Sequence, residues 1–558
     1  MASQAKGLNF YLCLISLLSL SISLRIYTST LRLQTQQIDV HPFQNLSIHA
    51  TDNDHKSIQE VRRKRTPLFD LLKELLRGRE ISIGFVNMHA QEVEEWKVLG
   101  TTTIVHFDPV QNVRHWEDYF PEWIDEDEKW DAPKCPNIPM PRYENYDQFD
   151  VVMVNVPCGN GVKGEGIRDV FRLQVNLVVA NLIENNGKKY GDDQDLFVVF
   201  IGTCGPMWEI FRCDDLLRHE GEFWIYKPDL RRLKQKVQMP VGTCQLAVAQ
   251  QKQGEVKGAY DFSKLSNPID HPKEAYVTVL HSSEAYVCGA IVLAQSIVQT
   301  NSTRDLVLLA DKSITKGSRQ ALRAAGWKIK DIKRIRNPQA QRGAYNEWNY
   351  SKLRIWQLTE YDQIIFIDSD LIVLENLDRF FAYPQLSAAG NDKWLFNSGV
   401  MLIEPSDCVF KMLMKKMYTL SSYNGGDQGF LNEAFTWWHR LPTRLNFLKI
   451  FEGVKDEEHN VPDSVYTIHY LGLKPWMCYR DYDCNWDKLD HHPFASDLAN
   501  KRWWKVYDAM PKRLHPYCGL SRGMDARIKK WRKRAENAGF PDRHWMIKVN
   551  DPRQNRQL

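Results

Sequence analysis

The run Gln363-Ile364-Ile365-Phe366-Ile367 is followed at once by Asp368-Ser369-Asp370, and no other stretch limits the fold of this chain as strongly. An apolar strand without a polar face must be covered on both sides, which is the situation of a strand inside an open α/β sheet. Such sheets bind ligands beyond the carboxyl ends of their strands, where the two carboxylates stand. Alternate side chains of a strand share a face, so the pattern predicts that Asp368 and Asp370 point together. Adjacent anions repel unless a cation lies between them, and a divalent metal is therefore implied.

The neighbouring segments agree. Residues 274–280 read as a first strand, His281 to Glu284 as a turn, Ala285 to Gln299 as a helix and Leu306 to Ala310 as a second strand. Downstream, the stretch from Val465 to Trp476 supplies His469 on a short strand, then Gly472 and Lys474. A neutral imidazole can be a third metal ligand, a glycine lets backbone approach a diphosphate, and a lysine adds a point charge.

The remainder of the chain frames that region. Positive and negative side chains nearly balance, at 73 against 69 for a net charge of +4, which excludes a protein whose main task is neutralising nucleic-acid phosphates. From Leu8 to Leu24 there is no charged residue, and this one apolar segment suits a signal anchor. A cleaved signal peptide is the alternative, with Ser21 and Ser23 as a small-residue cleavage site. Either places the body in the secretory lumen, where the sequons at Asn45 and Asn301 can be used. Ten cysteines lie outside the apolar segment, and the near neighbours Cys204 with Cys213 and Cys478 with Cys484 are the first pairs to test, free buried thiols being equally compatible. Strand-like runs at 81–86, 150–156 and 196–201, with a helix over Arg168 to Leu182, predict a separate α/β lobe. The glycines at 159, 161 and 164 are read as a turn, because no strand ending in an acidic ribose partner follows the helix. The acidic stretch 125–128 and the basic run 62–65 are read as solvated charge. The expected organisation is a cytosolic tip and anchor (1–27), a stem (28–79), an α/β lobe (80–230), a linker (231–273), a catalytic domain (274–480) and a C-terminal extension (481–558).

Taken in order, the motifs between 274 and 480 resemble those of glycosyltransferase family 8, the glycogenin-like group. The resemblance implies an α/β fold in which a GT-A nucleotide-sugar-binding domain with a Rossmann-like mixed sheet follows a second α/β lobe and a membrane anchor. It implies that Tyr286, at the end of Leu280-His281-Ser282-Ser283-Glu284-Ala285-Tyr286, stacks on uracil and that Lys352 lies near the sugar phosphate. Asp368, Ser369 and Asp370 match the metal motif, and Asn397, Ser398 and Gly399 match the segment that holds the donor sugar. Asn424, Gly425, Gly426, Asp427 and Gln428 resemble the loop whose carboxylate and amide lie beside the anomeric carbon. His469, Tyr470, Leu471, Gly472, Leu473 and Lys474 resemble the third metal ligand and diphosphate clamp. The implied cofactor is Mn²⁺, or Mg²⁺ in its place, and the implied outcome is retention of anomeric configuration, by a covalent intermediate or by same-face attack.

The preceding lobe and anchor, together with residues 120–125, 168–173 and 469–476, are most similar to plant UDP-glucuronate:xylan α-glucuronosyltransferases. That resemblance implies a Golgi type II membrane enzyme with a lumenal catalytic region, UDP-glucuronate as donor, xylan as acceptor and α-1,2 branches as product. Arg354 and Lys393 are candidate partners for the glucuronate carboxylate. Trp437, Trp438, Trp503 and Trp504 are candidate platforms for an extended polysaccharide, with a core role as the plainer reading. The rival readings are a self-glucosylating primer that uses UDP-glucose and a non-catalytic Golgi scaffold.

Overall fold

The computed structural model describes residues 80–555 apart from 111–114, 120–137, 147–148, 159–167, 191–195, 239–268, 393 and 454–455, together with 72 and 74. The apolar segment 8–24, the stem, the sequon at Asn45, the turn glycines and most of the expected linker lie outside the described residues. Among the described residues no helix is long and apolar enough to cross a membrane.

Six strands form the first sheet: β1 (Ile81–Val86), β2 (Gly100–Val105), β3 (Val151–Asn155), β4 (Phe197–Ile201), β5 (Leu216–Glu220) and β6 (Phe223–Tyr226), in the order β2-β1-β3-β4-β6-β5. The first four run parallel, and β6 and β5 close the edge antiparallel. The helix α1 (Val170–Tyr190) is buried nearly all round, which is why its sequence shows no polar stripe. Its buried amides hold loops: Gln174 accepts from the Val110 amide at 2.7 Å and donates to the Asp108 and Pro139 carbonyls, both at 2.8 Å. Asn176 accepts from the Met207 amide at 3.0 Å.

The second sheet has seven strands: β7 (Glu274–Leu280), β8 (Asp305–Ala310), β9 (Lys328–Asp331), β10 (Gln363–Ile367), β12 (Ser387–Gly390), β13 (Phe396–Ile403) and β14 (His439–Leu441), ordered β14-β12-β13-β10-β7-β8-β9. A small third sheet, β11 (Leu371–Val373), β16 (Thr467–His469) and β15 (Phe447–Leu448), stands at the carboxyl end of β10. The mixed α/β architecture expected from the sequence is present. One expectation on geometry is corrected. Asp368 and Asp370 are not on a strand; β10 ends at Ile367 and the two residues form the turn that carries the chain into β11. They meet because of that turn, not through strand alternation.

Residues Leu76–Leu558 form one compact unit, and one apolar core passes from the first sheet into the second, from Val86 and Phe200 through Trp356 to Trp438. Polar ties cross the same seam. The Glu209 carboxylate accepts from the Thr436 amide at 3.0 Å and its hydroxyl at 2.8 Å, and Trp208 packs on Phe435 with ring centroids 4.3 Å apart. Glu404, at the end of β13, receives Arg212 at 2.7 Å and Arg232 at 3.1 Å. Burial would raise its carboxyl, but Lys236, Arg212 and the Gln385 amide hold it below the usual range. Cysteine pairing differs in part from the proximity guess. Cys478 does bond Cys484, whereas Cys204 bonds Cys158, Cys213 bonds Cys408 across the seam, and Cys288 bonds Cys518. Closeness along the chain gives no account of contacts made between layers. The four tryptophans considered as sugar platforms are core residues, all buried.

Glu404 is the buried partner that Arg212 and Arg232 share, and without it they keep only the more exposed Asp214 and Asp229. Glu404→Ala is expected to cost about 3 kcal/mol in urea unfolding, against a smaller loss for Glu404→Gln. A loss below about 1 kcal/mol for Glu404→Ala would mean that Asp214 and Asp229 suffice for the two arginines.

Candidate active site

Register brings the acidic turn to the histidine. β11 and β16 are antiparallel with Leu371 opposite His469, and the Tyr470 amide donates to the Asp370 carbonyl at 3.0 Å. The turn sits tightly on the helix α2 (Val287–Gln299): a Cβ on Gly289 would lie 2.3 Å from the Ser369 carbonyl oxygen and 2.6 Å from the Trp476 ring, so that position has room only for glycine. Asp368, Asp370 and His469 each offer a ligand atom, all within 4.8 Å of one another.

Two lysines answer the carboxylates. Lys352 Nζ lies 2.6 Å from Asp427 and 3.3 Å from Asp368, and also donates to the Ser398 hydroxyl and carbonyl at 3.2 and 3.3 Å. Lys474 Nζ lies 2.7 Å from Asp370 and donates to the Tyr470 carbonyl. Burial opposes charge on both ammonium groups, yet Asp368 and Asp427 hold Lys352 charged and Asp370 holds Lys474 charged. The carboxyls diverge. Burial, with Asp370 and Asp427 nearby, pushes Asp368 up against the pull of Lys352, whereas Lys474 and His469 outweigh burial at Asp370 and hold it well below the carboxylate range.

Asp427 and Gln428 open the helix α3 (Asp427–Ala434) and are joined to β13. The Ser398 hydroxyl donates to Asp427 at 3.1 Å, and the Ser398 amide donates to the Gln428 side-chain oxygen at 3.2 Å. Asn424 shapes the loop, accepting from the amides of Gly426 at 2.9 Å and Gly429 at 3.1 Å. Tyr286 is half-buried, with its ring edge-on to Trp476 at 5.8 Å. Within the expected clamp Gly472 has a left-handed backbone (φ 69°). Tyr470 is wholly buried and spends its hydroxyl on the Ala499 carbonyl at 2.8 Å, so its side chain serves the core. Arg354 donates to the Lys333 carbonyl at 3.1 Å and the Gln357 side chain at 2.7 Å and is not among the groups gathered here; Lys393 lies outside the described residues.

Sequence reasoning missed Asn446, a lone amide between Leu445 and Phe447. The Gly399 amide donates to Asn397 Oδ1 at 2.9 Å, which fixes that atom as oxygen. Asn446 therefore presents its NH₂ to the same oxygen, at 2.8 Å, and its own oxygen to His469 Nδ1, at 3.1 Å. The imidazole must carry a proton on Nδ1, which leaves Nε2, 3.4 Å from an Asp370 oxygen, as the ring atom turned toward the acidic turn. A ring nitrogen and two carboxylates gathered this closely in a buried pocket suit a divalent cation. The charge count agrees, since three carboxylates face two ammonium groups. Gly399 is required as well: a Cβ there would lie 2.7 Å from the His469 ring and 2.8 Å from Asn397 Oδ1.

Asp456, Asp497 and His544 repeat the spacing elsewhere but not the chemistry. His544 lies 2.9 Å from Asp542 and 3.4 Å from Asp497, and although burial opposes its charge the two carboxylates push it up to about 9. A doubly protonated ring has no lone pair to offer a metal.

A mixed sheet with an acidic turn at its carboxyl end, a buried histidine beside it and a buried lysine paired with that turn is the arrangement of a nucleotide-sugar-dependent glycosyltransferase of the GT-A type. Residues 277–478 match the model of the family described as glycosyl transferase family 8, and residues 56–244 match that of the GUX1-5 N-terminal domain. The chain is 51% identical over 483 residues to UDP-glucuronate:xylan alpha-glucuronosyltransferase 2 of Arabidopsis thaliana, covering 85% of this chain and 81% of that protein. It is 39% identical over 163 residues to inositol phosphorylceramide glucuronosyltransferase 1 of Arabidopsis thaliana (29% of this chain, 30% of that protein) and 31% identical over 253 residues to glycogenin-1 of Homo sapiens (42% and 71%). The chain belongs to glycosyl transferase family 8 and is a glycosyltransferase.

Two outcomes follow from these networks. Asn446→Leu is expected to weaken Mn²⁺ binding, measured by titration calorimetry with UDP present, by about 10- to 100-fold; unchanged affinity would mean that packing alone orients the ring. Because the folded-state value for His544 is raised from 6.5 to about 9, its stabilisation is complete below pH 6.5 and lost as pH rises through about 9. The difference in thermal midpoint between the parent chain and His544→Gln should shrink over that interval, and a constant difference would refute the protonated pair.

Proposed function

We propose that this chain transfers glucuronic acid from UDP-glucuronate to xylan, with retention of configuration and formation of α-1,2 branches in cell-wall biosynthesis. The observation that carries the reading is the assembly of one complete constellation (Asp368, Asp370, His469, Lys474, Lys352, Asp427 and Gln428) in a chain alike over 85% of its length to a named xylan glucuronosyltransferase. Two relatives whose names specify different acceptors, xylan and inositol phosphorylceramide, share glucuronosyl transfer, which supports glucuronate as the donor sugar.

The residues divide the work. Asp368, Asp370 and His469 would hold Mn²⁺ or Mg²⁺, which supplies Lewis-acid stabilisation of the departing diphosphate. Lys474 faces the same diphosphate as a fixed positive charge, effective because water is excluded from its surroundings. Tyr286 offers its ring to the uracil, and Gly472 allows backbone to approach the phosphates. Asn397 and Gln428 present amides to sugar hydroxyls, and Ser398 and Gly399 fix those amides in place. Asp427 stands at the reacting face, 2.6 Å from Lys352, where a carboxylate stabilises positive charge developing on the anomeric carbon.

The segment 8–24 is proposed to anchor the protein in the Golgi membrane as a single-pass type II enzyme with residues 80–558 lumenal. Four disulfides among the described residues support an oxidising compartment.

With UDP-glucuronate, xylohexaose and Mn²⁺, the full chain should yield a hexaose carrying one α-linked glucuronate, identified by mass and by the anomeric coupling in NMR. Chelation should abolish the product and added Mn²⁺ restore it, and Asp368→Asn or Asp370→Asn should lower turnover at least about 100-fold. Glucose incorporated from UDP-glucose into the protein's own tyrosine, with no xylohexaose product, would sink the assignment.

A further inference from the structure

We infer that three exposed aromatic side chains, Tyr345, Trp394 and Tyr423, form the acceptor-binding rim of this active site, built to receive a neutral, extended chain of pyranose rings. The inference rests on the function proposed above and adds the residues that recognise the acceptor.

Single exposed apolar residues need no explanation, but three aromatic rings exposed on loops bonded to one site form a group: Tyr345 is 85%, Trp394 49% and Tyr423 51% exposed. Each stands on a different loop, and each loop is bonded to the site. The Tyr423 hydroxyl accepts from Gln428 Nε2 at 2.8 Å, so this ring borders the amide assigned to the donor sugar. Trp394 lies in the turn from β12 to β13, whose Asn391 accepts from Asn397 Nδ2 at 3.3 Å. Tyr345 precedes Asn346, which donates to the Gly425 carbonyl, and Asn337 of the same loop donates to that oxygen at 2.9 Å.

The loops are fixed bases. The Trp394 amide donates to Asp392 at 3.0 Å, and its carbonyl accepts from the Trp438 indole at 3.3 Å. On the Tyr345 loop, Glu347 accepts from the Gly343 amide at 2.8 Å, and its carbonyl accepts from the Asn337 amide, also at 2.8 Å. Rings on rigid supports lose little entropy when a ligand stacks on them.

The chemistry selects the occupant. A pyranose ring presents a face of C–H bonds with hydroxyls at its edge, which matches an aromatic face with a polar tip. The exposed aliphatic residues Val98, Leu217, Val298, Ile450, Leu489 and Leu498 lie on other segments, so the rim is not a mixed apolar patch of the kind that docks a protein. Lys352 and Lys474 are buried while the three rings are exposed on loops bonded to Gln428, Asn397 and Gly425, which puts the rings on the solvent side of the site.

The test is direct binding to the full chain by titration calorimetry, in UDP and Mn²⁺, of xylohexaose, cellohexaose and mannohexaose. Xylohexaose should bind, and Trp394→Ala and Tyr345→Ala should each weaken it about five- to tenfold, with Trp394→Phe and Tyr345→Phe within about twofold of the parent chain. UDP affinity, measured in parallel, reports folding; a variant that fails to bind UDP is set aside and the other decides. Unchanged xylohexaose affinity in the alanine variants, or no binding of any hexaose by the parent chain, overturns the rim. Binding of cellohexaose or mannohexaose but not xylohexaose, lost in the same variants, supports the rim and removes xylan as the acceptor.

Discussion

Three carboxylates, Asp368, Asp370 and Asp427, share one buried pocket with two ammonium groups, and the rest of the structure is arranged around that imbalance. An unpaired buried charge costs several kcal/mol, so Lys352 and Lys474 are needed before any ligand arrives. The pairs are not interchangeable. Lys352 bridges Asp368 and Asp427 and ties the acidic turn to the start of α3, while Lys474 is held between Asp370 and the Tyr470 carbonyl. The uncompensated negative charge left over makes a cation welcome beside His469 Nε2.

The first α/β lobe finds its physical place as a buttress. It contributes no group to the constellation, but Glu209 and Trp208 grip Thr436 and Phe435 just beyond α3, the helix that begins with Asp427 and Gln428. Arg212 and Arg232 seize Glu404 at the end of β13, the strand that presents Asn397 and Ser398 at its beginning. The helix that carries Asp427 and Gln428 and the strand that carries Asn397 and Ser398 are therefore both braced from behind by residues some two hundred positions earlier in the chain.

Much of this was legible. The apolar strand that leads into the two aspartates, the helix after the first strand of the domain and the histidine on a short strand are local patterns, and periodicity reports local structure. What escaped depended on contacts between distant segments. Nothing near Asn446 announces that its amide will stand between His469 and Asn397, although a single polar residue inside an apolar run is a hint worth testing. The tryptophan pairs were open to a platform role beside the plainer core role they have, because composition does not encode depth, and the exposed rings Tyr345, Trp394 and Tyr423 sit in loops that carry no period. The cysteine pairs across layers were hidden for the same reason.

Two hydrogen bonds converge on Asn397 Oδ1, one from the Gly399 amide and one from Asn446, whose own oxygen accepts from His469. The imidazole and the Asn397 amide therefore share one partner, Asn446. Linkage is reciprocal, so whatever tightening a cation gives to sugar binding, the sugar returns to the cation in equal measure. The enzyme's two small guests thus report on each other, and a pocket holding the wrong one is a poorer host to its companion.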